Sequence, residues 1–346
     1  MNKKSVIISV LVVLLVVLSY LNVVPQSGAI YLVFNMLLIV AGFYMLIKGA
    51  DIFVDGASKI ATKFNIPQMV IGLTIVAFGT SMPEAAVSIK AALSDNAGIT
   101  VGNVVGSNIM NILLILGVSA CIATLPIKKN TFAIEIPWVI VITVILLVLG
   151  INGSVISFVD GLILCGLMAI FMVYLIIQAK KGESDDESTQ LTEKDTMLKL
   201  LVFVAIGIVC IVVGSNVTVD SASYVAEKCG MSSRLIGLTI VAFGTSLPEL
   251  VTSATAAKRG KVDIAIGNIV GSNIFNILFV VGVSALITPV AFATEFVKDT
   301  IVAIAAAVLL FVCVIKGRQL TRAGGIVMLI CYAVYFAYIL VANYAA

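Results

Sequence analysis

Glu84 closes the phrase GLTIVAFGTSMPE, residues 72–84, and Glu249 closes GLTIVAFGTSLPE, residues 237–249. The two differ only at Met82 against Leu247. On a helix Thr80 and Glu84, four apart, share a face, and Ser81 and Glu84, three apart, also converge. Pro83 has no N–H and clashes with the carbonyl of Gly79, so the turn Gly79–Pro83 is expected to loosen or kink. Carbonyls freed there cannot face lipid and must meet protein, water or a cation. One turn thus offers a carboxylate, two hydroxyls and backbone oxygens, all hard donors. Thr245, Ser246, Pro248 and Glu249 rebuild the set.

A second phrase repeats at the same offset of 165 residues (249 less 84): GNVVGSNIMNILLILGVSA from Gly102 and GNIVGSNIFNILFVVGVSA from Gly267. Ser107 and Asn111 are four apart, as are Ser272 and Asn276, so each pair faces one direction. Taken alone, these side chains serve either as ion ligands or as interhelical hydrogen-bonding groups, and both readings stay open. Gly102 with Gly106, and Gly267 with Gly271, allow helices to approach closely. Asn103, Asn108, Asn268 and Asn273 are read as packing or helix-break residues.

A charge at mid-bilayer costs about 2.5–3.5 kcal/mol on insertion scales, and two in one site repel. A divalent cation between Glu84 and Glu249 cancels both charges. Oxygen-only ligation favours Ca²⁺, Mg²⁺ or Na⁺ over zinc or copper. A loosened backbone with mixed oxygens suits flexible Ca²⁺ coordination better than the strict Mg²⁺ octahedron. The chain has no histidine. Imidazole metal sites, Ser-His catalysis and histidine proton relays are therefore excluded.

The elements that position these groups are membrane spans. Of 346 residues 61% are apolar and 11% charged, against about a quarter charged in a soluble domain. A span needs about 20 apolar residues. The spans read as 5–24, 29–48, 68–93, 99–123, 132–151, 155–178, 197–218, 232–257, 262–287, 296–315 and 323–344. With the N-terminus in the cytoplasm, only Lys90, Lys228, Arg234 and Lys298 of the 21 basic residues fall outside. That is a positive-inside pattern, so the basic residues mark topology and not nucleic-acid binding. The repeat offset spans five crossings, an odd number, which turns the second copy upside down. Inverted repeats suit alternating access about a central site.

The expected fold is an all-α polytopic membrane protein: two inverted five-helix repeats, ten core helices, plus one extra N-terminal helix. Residues 1–28 hold that helix or a signal peptide. Apolar character that continues to Val24 without a clear A-x-A site favours the helix. The halves run 29–178 and 197–346, joined by a cytoplasmic linker at 179–196. Its acidic run Glu183–Glu187 has no EF-hand pattern and reads as solvated chain. Asp55 aligns with Asp220, and both are placed near opposite interfaces as helix-end or gating residues. The six cysteines form no C-x-x-C and read as free thiols.

At the repeated phrases the chain resembles the cation/calcium exchanger superfamily, specifically prokaryotic sodium/calcium exchangers, whose paired alpha-repeats match both phrases. The resemblance covers residues 29–344 and implies counter-transport of Ca²⁺ against Na⁺ in a cell membrane. It implies Glu84 and Glu249 as central calcium ligands, with carbonyls from Thr80 and Thr245. Ser81, Ser107, Ser246 and Ser272 resemble sodium-site hydroxyls, and Ala77 and Ala242 stand where carbonyls bind sodium. Asn111 and Asn276 complete the candidate site. At position 276 potassium-dependent relatives carry aspartate. Proton/calcium exchangers typically carry glutamate where this chain has Gly106–Ser107 and Gly271–Ser272. The alternatives are H⁺/Ca²⁺ exchange or K⁺-dependent Na⁺/Ca²⁺ exchange, with a cation channel behind both. No enzyme motif, cofactor or obligate protein partner is expected; the ions and the lipid bilayer are the partners.

Overall fold

The apolar runs fold into helices, and those that carry the two copies of the first phrase are broken, at Ser81 and Ser246. The computed structural model describes residues 3–21, 28–94, 98–181, 191, 195–231, 240 and 242–344. The first half begins after α1 (Lys3–Tyr20) with α2 (Gly28–Phe64). It continues through α3 (Gln68–Thr80), α4 (Met82–Leu93), α5 (Gly98–Ile122), α6 (Thr131–Ile151) and α7 (Phe158–Lys181). The second half holds α8 (Met197–Lys228), α9 (Ala242–Thr245) and α10 (Leu247–Lys258). It ends with α11 (Val262–Ile287), α12 (Thr294–Ile315) and α13 (Arg322–Tyr344).

Among the described residues eight helices are long and apolar enough to cross a membrane, and the bent α3–α4 pair makes a ninth. Part of the expected span 232–257 lies outside the described residues, as does most of the linker 179–196. The elements from α2 to α7 recur from α8 to α13, in line with the expected inverted repeat.

Burial separates the layers. In the most apolar stretches of α5 and α11, 72% and 83% of residues are buried, against 17% and 11% for α7 and α13. The site helices are therefore central, while α7 turns Ile163, Ile170 and Ile177 outward. Two short antiparallel pairs tie the halves together. β1 (Leu125–Pro126) pairs β4 (Gln319–Leu320), and β2 (Val155–Ile156) pairs β3 (Val290–Ala291). Each pair takes one strand from each repeat, so neither half closes its own ladder.

Two expectations need correction. The helices that hold the spans 29–48 and 197–218 run well past them. α2 has 37 residues and α8 has 32, and at 1.5 Å per residue each outruns a hydrocarbon core of about 30 Å. Apolarity fades after Lys48, but small residues carry both helices on as a tightly packed pair. Just past Lys48, a Cβ on Gly49 would sit 3.0 Å from the carbonyl oxygen of Gly207. Lys59 and Lys63 consequently lie on α2 and not in a loop.

Asp55 is likewise within a helix and not at its end. Its carboxylate lies 3.0 Å from Lys59 and 3.9 Å from Arg259, while Asp51 meets Arg259 at 2.8 Å. These contacts fasten α2 to the end of α10 at the lysine- and arginine-rich end of the bundle. Asp220, exposed on α8, has Asn216 one turn before it where Asp55 has Asp51.

Candidate functional site

The expected break occurs where Pro83 demands it. α3 ends at Thr80, α4 starts at Met82, and the two axes differ by 51°. Ser81 sits between them at φ −84°, ψ 8°. In the second half Ser246 adopts φ −91°, ψ 5° between α9 and α10. A π-helical segment, Gly72–Val76, precedes the first break, and further ones begin at Asn111 and Asn276. Such segments disturb the regular ladder and cluster at functional sites. Both glutamates fall in the first turn of the helix after the break, where the helix dipole favours a negative charge.

The two halves exchange hydroxyls across the centre. Ser81 Oγ donates to Glu249 Oε1 at 2.9 Å, and Ser246 Oγ lies 3.3 Å from Glu84 Oε1. Ser246 Oγ is also 3.4 Å from Ser107 Oγ. A hydroxyl has one proton, so Ser246 gives it to the carboxylate and accepts from Ser107. Thr80 is buried with its hydroxyl 2.9 Å from Asn268 Oδ1 and 3.1 Å from the Val76 carbonyl. Thr245 is half-buried at the equivalent place. Ala77 is buried and its carbonyl accepts from Ser81 N at 3.0 Å. Ala242 opens α9.

Both carboxylates are fully buried, and so are Ser272 and Asn276, with Asn111 1% exposed. Among the described residues, Glu84 Oε2, Glu249 Oε2, Asn111 Oδ1, Asn276 Oδ1 and Ser272 Oγ receive no hydrogen bond from the protein. Buried polar oxygens are normally satisfied. Each half thus contributes one carboxylate oxygen and one amide oxygen that no protein donor satisfies. Ser107, unlike Ser272, lines a cavity of about 550 Å³. That cavity runs between Phe43 of α2, Val219 of α8, Phe243 of α9 and Tyr335 of α13, away from the basic end. The structure therefore gathers the predicted donors into two hydrogen-bonded sets across the halves, Ser81 with Glu249 and Ser246 with Glu84 and Ser107.

Four asparagines read from sequence as packing residues also reach this centre. Asn103 Nδ2 lies 3.2 Å from the Glu84 carbonyl and 3.0 Å from Ser88 Oγ. Asn268 Nδ2 lies 3.5 Å from the Glu249 carbonyl and 2.9 Å from Ser253 Oγ. These bonds hold the glutamate-bearing turns against α5 and α11. Asn108 and Asn273 contact Asn276 and Asn111 across the halves. Their exact recurrence at the repeat offset was the available signal, since packing alone does not require an amide. Among the described residues no group of three His, Cys, Asp or Glu side chains is placed to hold a metal.

The comparisons with known proteins agree with one another. The sequence model of the family described as sodium/calcium exchanger protein matches residues 34–177 and again 199–341. The putative antiporter CaxA of Alkalimonas amylolytica is 37% identical over 306 residues, 86% of this chain and 96% of that protein. The sodium/calcium exchanger MaX1 of Methanosarcina acetivorans is 31% identical over 341 residues, 87% and 97% of the two chains. A solved structure of the sodium-calcium exchanger NCX_Mj superposes with TM-score 0.78 at 33% identity, covering 88% of this chain and 99% of that one. Matched twice by one family model, once in each half, this chain belongs to the sodium/calcium exchanger family.

Proposed function

We propose that the chain exchanges Na⁺ for Ca²⁺ across a prokaryotic plasma membrane by alternating access, with Na⁺ entry driving Ca²⁺ out. The observation that carries this reading is the central pair Glu84 and Glu249. Each is held by a serine of the opposite half and keeps one oxygen free of hydrogen bonds. The names of MaX1 and NCX_Mj as sodium/calcium exchangers, and of CaxA as a putative antiporter, support it. In this reading Ca²⁺ lies between Glu84 and Glu249 with the carbonyls of Thr80 and Thr245. Sodium uses Ser81, Ser107, Ser246, Ser272, Asn111 and Asn276 with the carbonyls of Ala77 and Ala242. Two carboxylates with neutral donors hold calcium less tightly than a site richer in carboxylates, because ligand charge sets affinity. A carrier needs that reversibility. The basic end faces the cytoplasm, and the cavity at Ser107 leads to the outside. The test is calcium uptake into proteoliposomes under an imposed sodium gradient. Uptake driven only by a proton gradient would refute the assignment.

Two outcomes follow for the same vesicles. Two ionised carboxylates give the empty site a charge of −2, so one Ca²⁺ brings it to zero and three Na⁺, the number that the family resemblance and the several hydroxyls suggest, to +1. The sodium-loaded form then carries charge, worth about 2.3 kcal/mol per 100 mV for a full crossing. Sodium-driven calcium uptake is expected to change with a potassium–valinomycin clamp. A rate and final gradient indifferent to potential would show electroneutral exchange.

Potassium itself is not a substrate. Asn276 is a neutral amide whose nitrogen donates to Asn108 at 3.2 Å, so the site lacks a third carboxylate to balance another monovalent ion beside calcium. Uptake is expected to persist in potassium-free buffer, and its disappearance there would overturn the claim.

A further inference from the structure

Asn111 and Asn276 each have an amide with two faces, one an oxygen and one an NH₂ group. Only the oxygen binds a cation, so something must fix which face looks into the site. We propose that Asn273 and Asn108 are positioning residues that set this polarity, each for the other half's ligand. This rests on the reading of Asn111 and Asn276 as ion ligands.

The argument starts from two backbone carbonyls, which only accept. Asn273 Nδ2 lies 3.3 Å from the carbonyl oxygen of Asn108, and Asn108 Nδ2 lies 3.2 Å from that of Asn273. Amide orientation is ordinarily an assignment from partners; here a carbonyl dictates it. With its NH₂ on the carbonyl, Asn273 must show Oδ1 to Asn111, which donates Nδ2 to it at 2.9 Å. Asn108 Oδ1 receives Asn276 Nδ2 at 3.2 Å in the same way. Asn111 Oδ1 and Asn276 Oδ1 are thereby left facing away, buried and without a donor. The relay runs from a carbonyl through an amide to a ligand oxygen, and it crosses the repeat boundary in both directions. With Asn108 removed, the Asn276 amide has nothing to hold its NH₂ back, and a flip would point two N–H donors at the cation.

A thermodynamic cycle separates this role from simple packing. Aspartate at position 276 has two equivalent oxygens, so orientation no longer matters there. Full-length protein is purified with Asn108→Ala, with Asn276→Asp, and with both. Equilibrium binding of radioactive Ca²⁺ is measured beside thermal unfolding and sodium-driven uptake. Asn108→Ala is expected to weaken Ca²⁺ binding about tenfold or more, a factor worth 1.4 kcal/mol. In the Asn276→Asp background the same change should cost less than about threefold. Equal losses in both backgrounds, or no loss in either, would overturn the relay. If Asn108→Ala does not fold, Asn273→Ala with and without Asn111→Asp runs the mirror cycle. Failure of both alanine variants to fold in every background would assign these residues a structural role and also overturn it. Intact Ca²⁺ binding without sodium-driven uptake by the unmodified chain strikes the exchange reading alone. Absence of Ca²⁺ binding by that chain strikes both.

Discussion

Glu84→Gln and Glu249→Gln each reduce sodium-driven calcium uptake by about a hundredfold or more, while the protein stays folded. At about 4 Å and an effective dielectric near 20, one pair of unit charges is worth about 4 kcal/mol, and calcium doubles that. Glutamine returns part of the loss, because a neutral group needs no desolvation. Even half of the Coulomb attraction exceeds the 2.7 kcal/mol that a hundredfold represents. Folding is spared for the same reason: the empty site loses a like-charge repulsion, and glutamine still offers an oxygen to the serine from the opposite half. Uptake in proteoliposomes and the unfolding temperature in detergent check both statements. Uptake near the unmodified rate in either variant would remove Glu84 and Glu249 from the transport site.

Gly267→Val is expected to abolish folded, monodisperse protein. α11 crosses α3 at this residue. A Cβ on Gly267 would stand 2.9 Å from the Met69 carbonyl oxygen, 3.0 Å from Gly72 Cα and 3.0 Å from Leu73 N. All three neighbours are backbone, so no side chain can swing aside. Overpacking a well-filled core costs about 1–3 kcal/mol where side chains can adjust, and more where backbones must part. Gly267→Ala should fold with a lowered unfolding temperature. Size-exclusion chromatography and thermal unfolding decide it, and a valine variant as stable as the parent would show that the helices yield.

The repeat, its inversion and the breaks at Pro83 and Pro248 were legible because each rests on local sequence: a phrase, an odd number of crossings, a missing N–H. The lengths of α2 and α8 were not legible. A hydropathy window sees polarity after Lys48, whereas α2 continues where Gly49 and Gly56 bring its backbone against that of α8 at Gly207 and Val204. Ser81, Ser246 and the glutamates were found as donors, but not the exchange of Ser81 to Glu249 and Ser246 to Glu84. That pairing joins residues 168 and 162 positions apart, beyond any spacing argument within one helix. The partners of the Asn108 and Asn273 amides, read as packing residues, were not legible for the same reason, since they lie on the other half.

Gly106 and Gly271 occupy the same place in the repeated phrase, yet their surroundings differ. A Cβ on Gly271 would meet Leu73 backbone and Ala77 Cβ at 2.8 Å, while one on Gly106 would find nothing within 4 Å, at the wall of the cavity. In the proposed alternating-access cycle the two copies trade shapes and so trade this clearance, which makes the gap beside Gly106 headroom for a neighbour that arrives when the site turns to the other side. A bulky side chain there would be harmless to the state seen and would act as a doorstop against the other.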